Sequence, residues 1–262
     1  MGEPYPHGLF SWTDIGVPDQ EAGKAFYTAL FGWDADDQPS GPDSTYTMLG
    51  LDGKTVAGLY AQAPDQQQAG IPPAWLSYIT VHDLDAVAGR VAELGGTIIA
   101  PAFDVMESGR MALIADPAGA MVALWEARRH AGGEIFNVPG SMTWNELATH
   151  DVAAAKEFYR ALLGWTFESS PMPDGNEYTT IKIGERMNGG MMAMGDNYPP
   201  GTPAHWSVYF AVADADATAA KATELGGYVI VPPTDINIGK FTVLSDPQGG
   251  VFTAVHWTVP TD

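Results

Sequence analysis

The pattern of apolar and polar residues at the start of the chain predicts a strand followed by an amphipathic helix. Residues 9–17 alternate between the two classes, which is the period of a half-buried strand, and Pro18 interrupts them. Asp19 can then cap a helix over residues 20–30, which has apolar side chains at helical spacing and ends before Gly32.

Strand-like runs follow this helix, and the same order of elements then recurs. Residues 44–51 and 55–62 read as strands joined by Asp52-Gly53, a dipeptide typical of tight hairpins. The next predicted elements are a strand at 75–81, a helix that follows Asp83 and continues through Leu94, and strands at 97–103, 110–114 and 120–125. The first half of the chain therefore predicts two successive β-α-β-β-β units, separated by a linker at 62–74.

The second half of the chain repeats the first. The run DQEAGKAFYTALFGW at residues 19–33 recurs as DVAAAKEFYRALLGW at 151–165, an offset of 132. The same offset relates four further pairs: Trp12 and Trp144, Asp14 and Glu146, Tyr46 and Tyr178, and Gly58 and Gly190. A match of this length predicts two copies of one domain, at residues 1–128 and 141–262, joined by a linker at 129–140.

Composition limits the classes of partner. The net charge of −20 disfavours nucleic acid and anionic membranes, because both would be repelled. The absence of cysteine excludes disulfides, thiolate metal sites and a cysteine nucleophile. The start of the chain has neither a basic segment nor a long apolar run, so a cytoplasmic location is expected.

The repeated motif resembles that of a known superfamily. The pattern D-x6-FY-x-x-L-x-GW, followed by LGG and DP-x-G, is similar to vicinal oxygen chelate proteins, which include glyoxalase I, bleomycin-type resistance proteins and extradiol dioxygenases. The resemblance implies an α+β fold of four βαβββ units, whose curved mixed sheets form cup-shaped clefts with helices outside. The tandem layout and the W-x-E/D-L/I strands resemble two-domain glyoxalase-like proteins named as hydroxylases, some of which accompany aromatic polyketide antibiotic pathways.

The residues at the ligand positions of that superfamily do not suit a metal ion. The resemblance places its metal ligands seven residues before each helix-capping Asp and seven after the Asp of DP-x-G. Those positions here hold Trp12, Trp144, Leu76, Ser207, Ala123 and Thr253. Because a divalent cation needs several converging nitrogen or oxygen donors, we expect neither metal nor another cofactor. The alternative is a metal-dependent glyoxalase-type lyase or extradiol-type dioxygenase with ligands such as His205, Glu146 and His256.

Strand alternation predicts which side chains line the clefts, since residues two apart share a face. The side chains predicted to bind a ligand are Trp12, Trp125, Trp144, Ser207 and Thr253, with Met191 from a methionine-rich run. The predicted acid–base groups are Asp14 with Tyr78, and Glu146 with Tyr209.

These residues predict a metal-independent protein that binds a hydrophobic aromatic small molecule. The resemblance implies that the protein takes part in antibiotic or secondary-metabolite biosynthesis or in resistance. Acid–base catalysis of cyclisation, isomerisation or dehydration is compatible with the paired carboxylates and tyrosines. A further possibility is a single working cleft, in which case the more polar half with Ser207 and Thr253 is favoured. A monomer suffices, since two fused halves supply what single-domain relatives gain by dimerising, and a homodimer stays open.

Overall fold

A computed structural model describes residues 5–42, 44–172, 175–196 and 198–259. Within these ranges, every helix is too short or too polar to traverse a bilayer.

The first half contains the two predicted βαβββ units. Its elements in chain order are β1 (Phe10–Val17), α1 (Gln20–Phe31), β2 (Asp34–Gly41), β3 (Ser44–Leu51), β4 (Lys54–Ala61), α2 (Pro64–Gln68), β5 (Ala74–Thr80), α3 (Leu84–Ala88), β6 (Thr97–Val105), β7 (Gly109–Ala115) and β8 (Met121–Ala127).

The second half follows the same plan and confirms the α+β fold. Its elements are β9 (Met142–Thr149), α4 (Val152–Leu163), β10 (Thr166–Pro171), β11 (Glu177–Ile183), β12 (Arg186–Ala193), β13 (His205–Ala211), α5 (Ala215–Glu224), β14 (Tyr228–Ile236), β15 (Gly239–Ser245) and β16 (Val251–Trp257).

Aspartate caps begin four of the helices, as predicted for Asp19. The side chains of Asp19, Asp83, Asp151 and Asp214 each accept a hydrogen bond from the backbone N–H three residues further on, at 2.9–3.0 Å. Each cap satisfies a donor that the helix itself leaves unpaired, so the start of the helix is fixed locally.

Helix α3 is shorter than predicted. It ends at Ala88 rather than Leu94, and turns replace its C-terminal part. The C-terminal cap is Gly89, whereas the matching position in the longer α5 is Ala220. Glycine disfavours a helix interior by about 1 kcal/mol relative to alanine, which accounts for the early end.

Contacts divide the chain into two compact units, each of which combines parts of both halves. We call them the Glu146 unit (described residues of 1–11, 76–132 and 144–207) and the Asp14 unit (12–75, 133–143 and 208–259). The boundaries 1–128 and 141–262 follow the repeat instead and stay a prediction.

Each unit contains four neighbouring strands from the leading βαβββ unit of a half. In the Asp14 unit the strand order is β1-β4-β3-β2, and in the Glu146 unit it is β9-β12-β11-β10. The pairs β1–β4 and β9–β12 are parallel, and the other pairs in these two strand orders are antiparallel. The remaining strands are β5-β8-β7-β6 in the Glu146 unit and β13-β16-β15-β14 in the Asp14 unit.

Within each unit, a buried tyrosine joins the leading helix to an Asp-Pro turn from the other half of the chain. In the Asp14 unit, Tyr27 of α1 donates to Oδ2 of Asp246 at 2.8 Å and accepts from the indole nitrogen of Trp75 at 3.1 Å. In the Glu146 unit, Tyr159 of α4 donates to Asp116 at 3.4 Å and accepts from Trp206 at 2.9 Å. These tyrosines pack in the core, as expected from their helical spacing.

Candidate functional site

The sheet of the Asp14 unit has two distinct faces. Ile15, Leu49 and Leu59 are fully buried on the face that packs on α1, where Gly23 lies against Leu59. Asp14 points to the opposite face, because side chains alternate along a strand. This second face is the one that the alternation predicted to line a cleft.

Strand register brings a tyrosine onto this second face beside Asp14. Asp14 pairs with Gly58 on β4, and Tyr46 of β3 pairs with Tyr60, two residues further along β4. The hydroxyl of Tyr46 donates a hydrogen bond to Oδ2 of Asp14 at 2.9 Å. It also accepts one from the indole nitrogen of Trp12 at 3.0 Å.

The Glu146 unit contains the same arrangement at the repeat offset. Glu146 pairs with Gly190 on β12, and Tyr178 of β11 pairs with Met192. The hydroxyl of Tyr178 donates to Oε2 of Glu146 at 2.8 Å and accepts from the indole nitrogen of Trp144 at 2.9 Å. We call each set of three a Trp–Tyr–carboxylate chain.

A glycine makes room for each tyrosine hydroxyl. A Cβ atom at Gly58 would overlap the hydroxyl of Tyr46, and one at Gly190 would overlap the hydroxyl of Tyr178. The phenol therefore lies directly against the neighbouring backbone, and only glycine permits this close approach. The tyrosine and the glycine occur together in both halves, since the position of the tyrosine hydroxyl requires the glycine.

The electrostatics of the chains keep the phenols protonated. Burial, and then the charge of the adjacent carboxylate, hold the pKa of Tyr46 and of Tyr178 well above the ordinary value of 10.0. Burial and the charge of Asp14 raise the pKa of Tyr60, and burial and Glu146 raise that of Tyr198. Tyr46 and Tyr178 are thus neutral hydrogen-bond donors to Asp14 and Glu146 at physiological pH.

Tyr46 and Tyr178 were not among the predicted acid–base groups, and whether Tyr78 and Tyr209 serve as such groups stays a prediction. Tyr78 lies in the Glu146 unit, where it is buried edge-on to Trp125 with ring centroids 6.2 Å apart. Tyr209 lies in the Asp14 unit and pairs with Thr253. Tyr46 and Tyr178 bond the carboxylates because the antiparallel β3–β4 and β11–β12 pairs bring them onto the carboxylate's face.

The other predicted ligand-binding residues fall in varied surroundings. Trp125 is buried and its indole nitrogen donates to the carbonyl of His130 at 2.9 Å. Thr253 is buried and Ser207 is half-buried on their strands. Whether these side chains and Trp12 and Trp144 touch a ligand stays a prediction.

Met191 lies on the face away from the Trp–Tyr–carboxylate chain. Its register with Leu147 and Thr179 places it on the buried side of the sheet, with α4 packed on β12. The methionine that shares a face with Glu146 is its neighbour Met192. Because side chains alternate along a strand, only every second residue of the run 187–194 shares the face of Glu146, and a ligand contact by Met191 stays a prediction.

In the part of the chain that the structure describes, the donors that the superfamily's metal would require do not converge. Within the described ranges, His, Asp and Glu side chains form no group of three suited to a metal ion. The alternative ligand His205 has Nδ1 2.9 Å from the carbonyl of Pro203, and His256 has Nδ1 3.3 Å from that of Val212. Indoles stand at the leading ligand positions, and an indole offers only an N–H donor, so the residues present do not fit the metal.

Comparison with known proteins establishes the class to which this fold and site belong. The family model described as the glyoxalase/bleomycin resistance protein/dioxygenase superfamily matches residues 9–124, and the bleomycin resistance protein-like N-terminal model matches residues 141–184. CFP32 of Mycobacterium tuberculosis, a protein that carries a glyoxylase name, is 46% identical over 96% of this chain and 95% of its own. The chain therefore belongs to the glyoxalase/bleomycin resistance/dioxygenase superfamily.

Two further proteins are similar to this chain. The anthracycline biosynthesis protein DnrV of Streptomyces peucetius is 38% identical over 95% of this chain and 93% of its own. The Mn(II)-bound glyoxalase from Novosphingobium aromaticivorans matches 98% of this chain and 84% of that chain with a TM-score of 0.66, at 15% identity. The second likeness is one of fold alone.

Proposed function

We propose that this protein binds a flat, hydrophobic aromatic small molecule without a metal ion and acts on it, where it acts, by proton transfer. The observation that supports this most directly is the hydrogen bond from Tyr178 to Glu146, on a face where Trp144 stands at the superfamily's usual ligand position. A carboxylate and a phenol replace the cation as the polar groups of the site.

The side chains suit an aromatic guest that carries hydroxyl groups. Indole and phenol rings stack on flat ligands, typically for about 0.5–1.5 kcal/mol per ring pair beyond area burial. The carboxylate accepts a hydrogen bond from a ligand hydroxyl, and such charge-assisted bonds are the stronger kind. Pockets of this class are largely apolar with a few placed polar groups.

The same groups can move a proton between two atoms of the ligand. The carboxylate of Glu146 takes a proton from a ligand carbon or oxygen and becomes a carboxylic acid. It then returns the proton to another ligand atom, for a net isomerisation, or to a departing hydroxyl group that leaves as water, for a dehydration. The neutral phenol of Tyr178 orients the carboxylate throughout.

The biological context that we propose is secondary metabolism. DnrV is named for anthracycline biosynthesis, and anthracyclines carry a hydroxylated anthraquinone ring system of the kind that would suit this face. We therefore propose a polyketide-type aromatic ligand, handled during biosynthesis or resistance.

Calorimetric titration with quinizarin, a dihydroxyanthraquinone, tests the proposal. We expect saturable binding by metal-free protein, unchanged after treatment with a chelator. The variant Tyr178→Phe should bind at least about tenfold more weakly, because the phenol no longer orients a charged hydrogen-bond partner. The matched control is Tyr228→Phe, since Tyr228 is 65% exposed on β14.

Two results would count against the proposal. Stoichiometric Mn, Fe, Ni or Zn in the purified protein, with binding or turnover lost on its removal, would favour the metal-dependent alternative. A complete absence of heat and of tryptophan quenching with quinizarin and related polyhydroxylated anthraquinones would remove the aromatic ligand class.

A further inference from the structure

The two Trp–Tyr–carboxylate chains differ in how accessible their members are. Asp14 is 2% exposed and Trp12 is 3% exposed, so both are buried. Glu146 and Trp144 are half-buried. The hydrogen bonds within the two sets are alike, so the length of the carboxylate side chain and the side chains packed around each set account for the difference in exposure.

Residue 60 and its repeat equivalent, residue 192, are one such difference. Tyr60 pairs in register with Tyr46, and Met192 pairs in register with Tyr178. The ring of Tyr60 stacks on that of Tyr46, with centroids 6.1 Å apart and planes 12° apart. Tyr60 therefore places a flat aromatic ring beside the phenol that bonds Asp14, where an aromatic ligand could otherwise stack.

The residues that pair with Tyr60 and Met192 on the neighbouring strand also differ between the two units. Gly16 pairs with Tyr60 on β4, and the equivalent partner of Met192 is Ala148. A Cβ atom at Gly16 would lie 2.9 Å from two ring atoms of Tyr60, which is closer than an ordinary contact. Tyrosine thus occurs with glycine in one unit, and methionine with alanine in the other.

Strands β5 and β8 of the Glu146 unit also carry large rings, which pack against one another. Trp125 lies edge-on to Tyr78, its indole nitrogen is bonded to the carbonyl of His130, and both rings are buried. Tyr198 is half-buried and close enough to Glu146 for that charge to raise its pKa. The unbranched side chain of Met192 can move aside for a guest, which a stacked tyrosine cannot do without losing its contacts.

We propose that residues 60 and 192 decide which of the two sites admits a ligand. Tyr60 fills the site beside Asp14, whereas Met192 leaves the site beside Glu146 open. Each protein molecule therefore binds one aromatic molecule, at Glu146. This inference rests on the proposed function and specifies where in the molecule it operates.

The inference is tested by exchanging the pair Gly16 and Tyr60 with the pair Ala148 and Met192. Calorimetry measures the number of quinizarin molecules bound per protein molecule. The natural protein should bind one. The variant Gly16→Ala/Tyr60→Met should open the second site and bind two. The variant Ala148→Gly/Met192→Tyr should close the first and bind none, and the fourfold exchange should again bind one. Tyr60→Phe keeps the ring and should still bind one.

The location of binding is read from the carboxylates. In the natural protein Glu146→Gln should weaken binding at least tenfold, whereas in the fourfold exchange Asp14→Asn should do so. Circular dichroism and the melting temperature report whether each variant is folded, and the gain of a site in Gly16→Ala/Tyr60→Met cannot arise from misfolding.

The outcomes separate this inference from the function on which it rests. Two molecules bound per natural chain, or one retained by folded Ala148→Gly/Met192→Tyr, would overturn the inference and leave the proposed function standing. The same holds if Gly16→Ala/Tyr60→Met is folded and gains no site. Absence of binding by the natural protein and by every variant would overturn both.

Discussion

The hydroxyl of Tyr178 donates a 2.8 Å hydrogen bond to Oε2 of Glu146, and its oxygen accepts one from the indole of Trp144. The phenol is thereby held with its proton toward the carboxylate, and it cannot turn toward solvent without breaking both bonds. A ligand that reaches Glu146 meets a carboxylate whose orientation is already set, which reduces the entropy lost on binding.

Replacing Glu146 with Gln should weaken quinizarin binding by roughly tenfold to a hundredfold. The amide keeps the size of the side chain but removes the charge, and hydrogen bonds to charged groups contribute about 1.5–3 kcal/mol. Calorimetry gives the dissociation constants. Glu177→Gln is the matched control, because Glu177 is an exposed residue of the same sheet, next to Tyr178. Equal affinities for Glu146→Gln and the natural protein would remove Glu146 from the site.

Replacing Gly190 with Ala should disturb the Glu146 chain without unfolding the protein. The added methyl group would overlap the hydroxyl of Tyr178 and lie 2.9 Å from the indole nitrogen of Trp144, so both side chains must move. We expect about tenfold weaker binding, from loss of the charge-assisted bond, with an altered near-ultraviolet dichroism spectrum and an unchanged far-ultraviolet one. Gly195→Ala is the control, since its added Cβ meets no neighbour within 4 Å.

Replacing Tyr27 with Phe should lower the free energy of unfolding by about 1–3 kcal/mol. The change removes the donor to Oδ2 of Asp246 and the acceptor for the indole of Trp75, both inside the core. Urea unfolding measures the loss. Tyr228→Phe, at a residue that is 65% exposed, should change the free energy of unfolding by no more than about 0.5 kcal/mol. An equal and small effect in both variants would show that the buried hydroxyl does not stabilise the fold.

Alkaline pH should destabilise the protein through its buried tyrosines. Burial first, and then adjacent carboxylates, hold the pKa of Tyr27 and Tyr159 well above the ordinary 10.0, so the folded state retains these protons where the unfolded chain releases them. Their contribution is therefore fully present below pH 10 and decreases as the pH rises above it. Urea unfolding at pH values below and above 10 should show a falling free energy, with a shallower fall for Tyr27→Phe than for Tyr228→Phe.

Local signals in the sequence predicted most of the fold. The capping aspartates marked the starts of the helices, and Asp52-Gly53, with φ of 52° and 74°, forms the predicted tight turn. Strands β2 and β10 gave no such signal. Their residues are almost all exposed, so neither alternation nor apolar content distinguishes them from loops.

The site was only partly predictable, because its central contact depends on strand register. Strand alternation placed Asp14 and Glu146 with their tryptophans, since these are two residues apart on one strand. The partners Tyr46 and Tyr178 are 32 residues from their carboxylates, and antiparallel pairing brings them there. The repeat offset did pair these tyrosines and their glycines, which was the available signal for a shared role.

The bond between Tyr27 and Asp246, and that between Tyr159 and Asp116, each join a helix of one half to a turn of the other. Cleavage of the linker at residues 129–140 would leave each half without the core residues that the other half provides. The separated halves would then complete their hydrophobic cores only by reassociating. Two copies of an ancestral single-domain protein would have had to associate in the same way before they were fused.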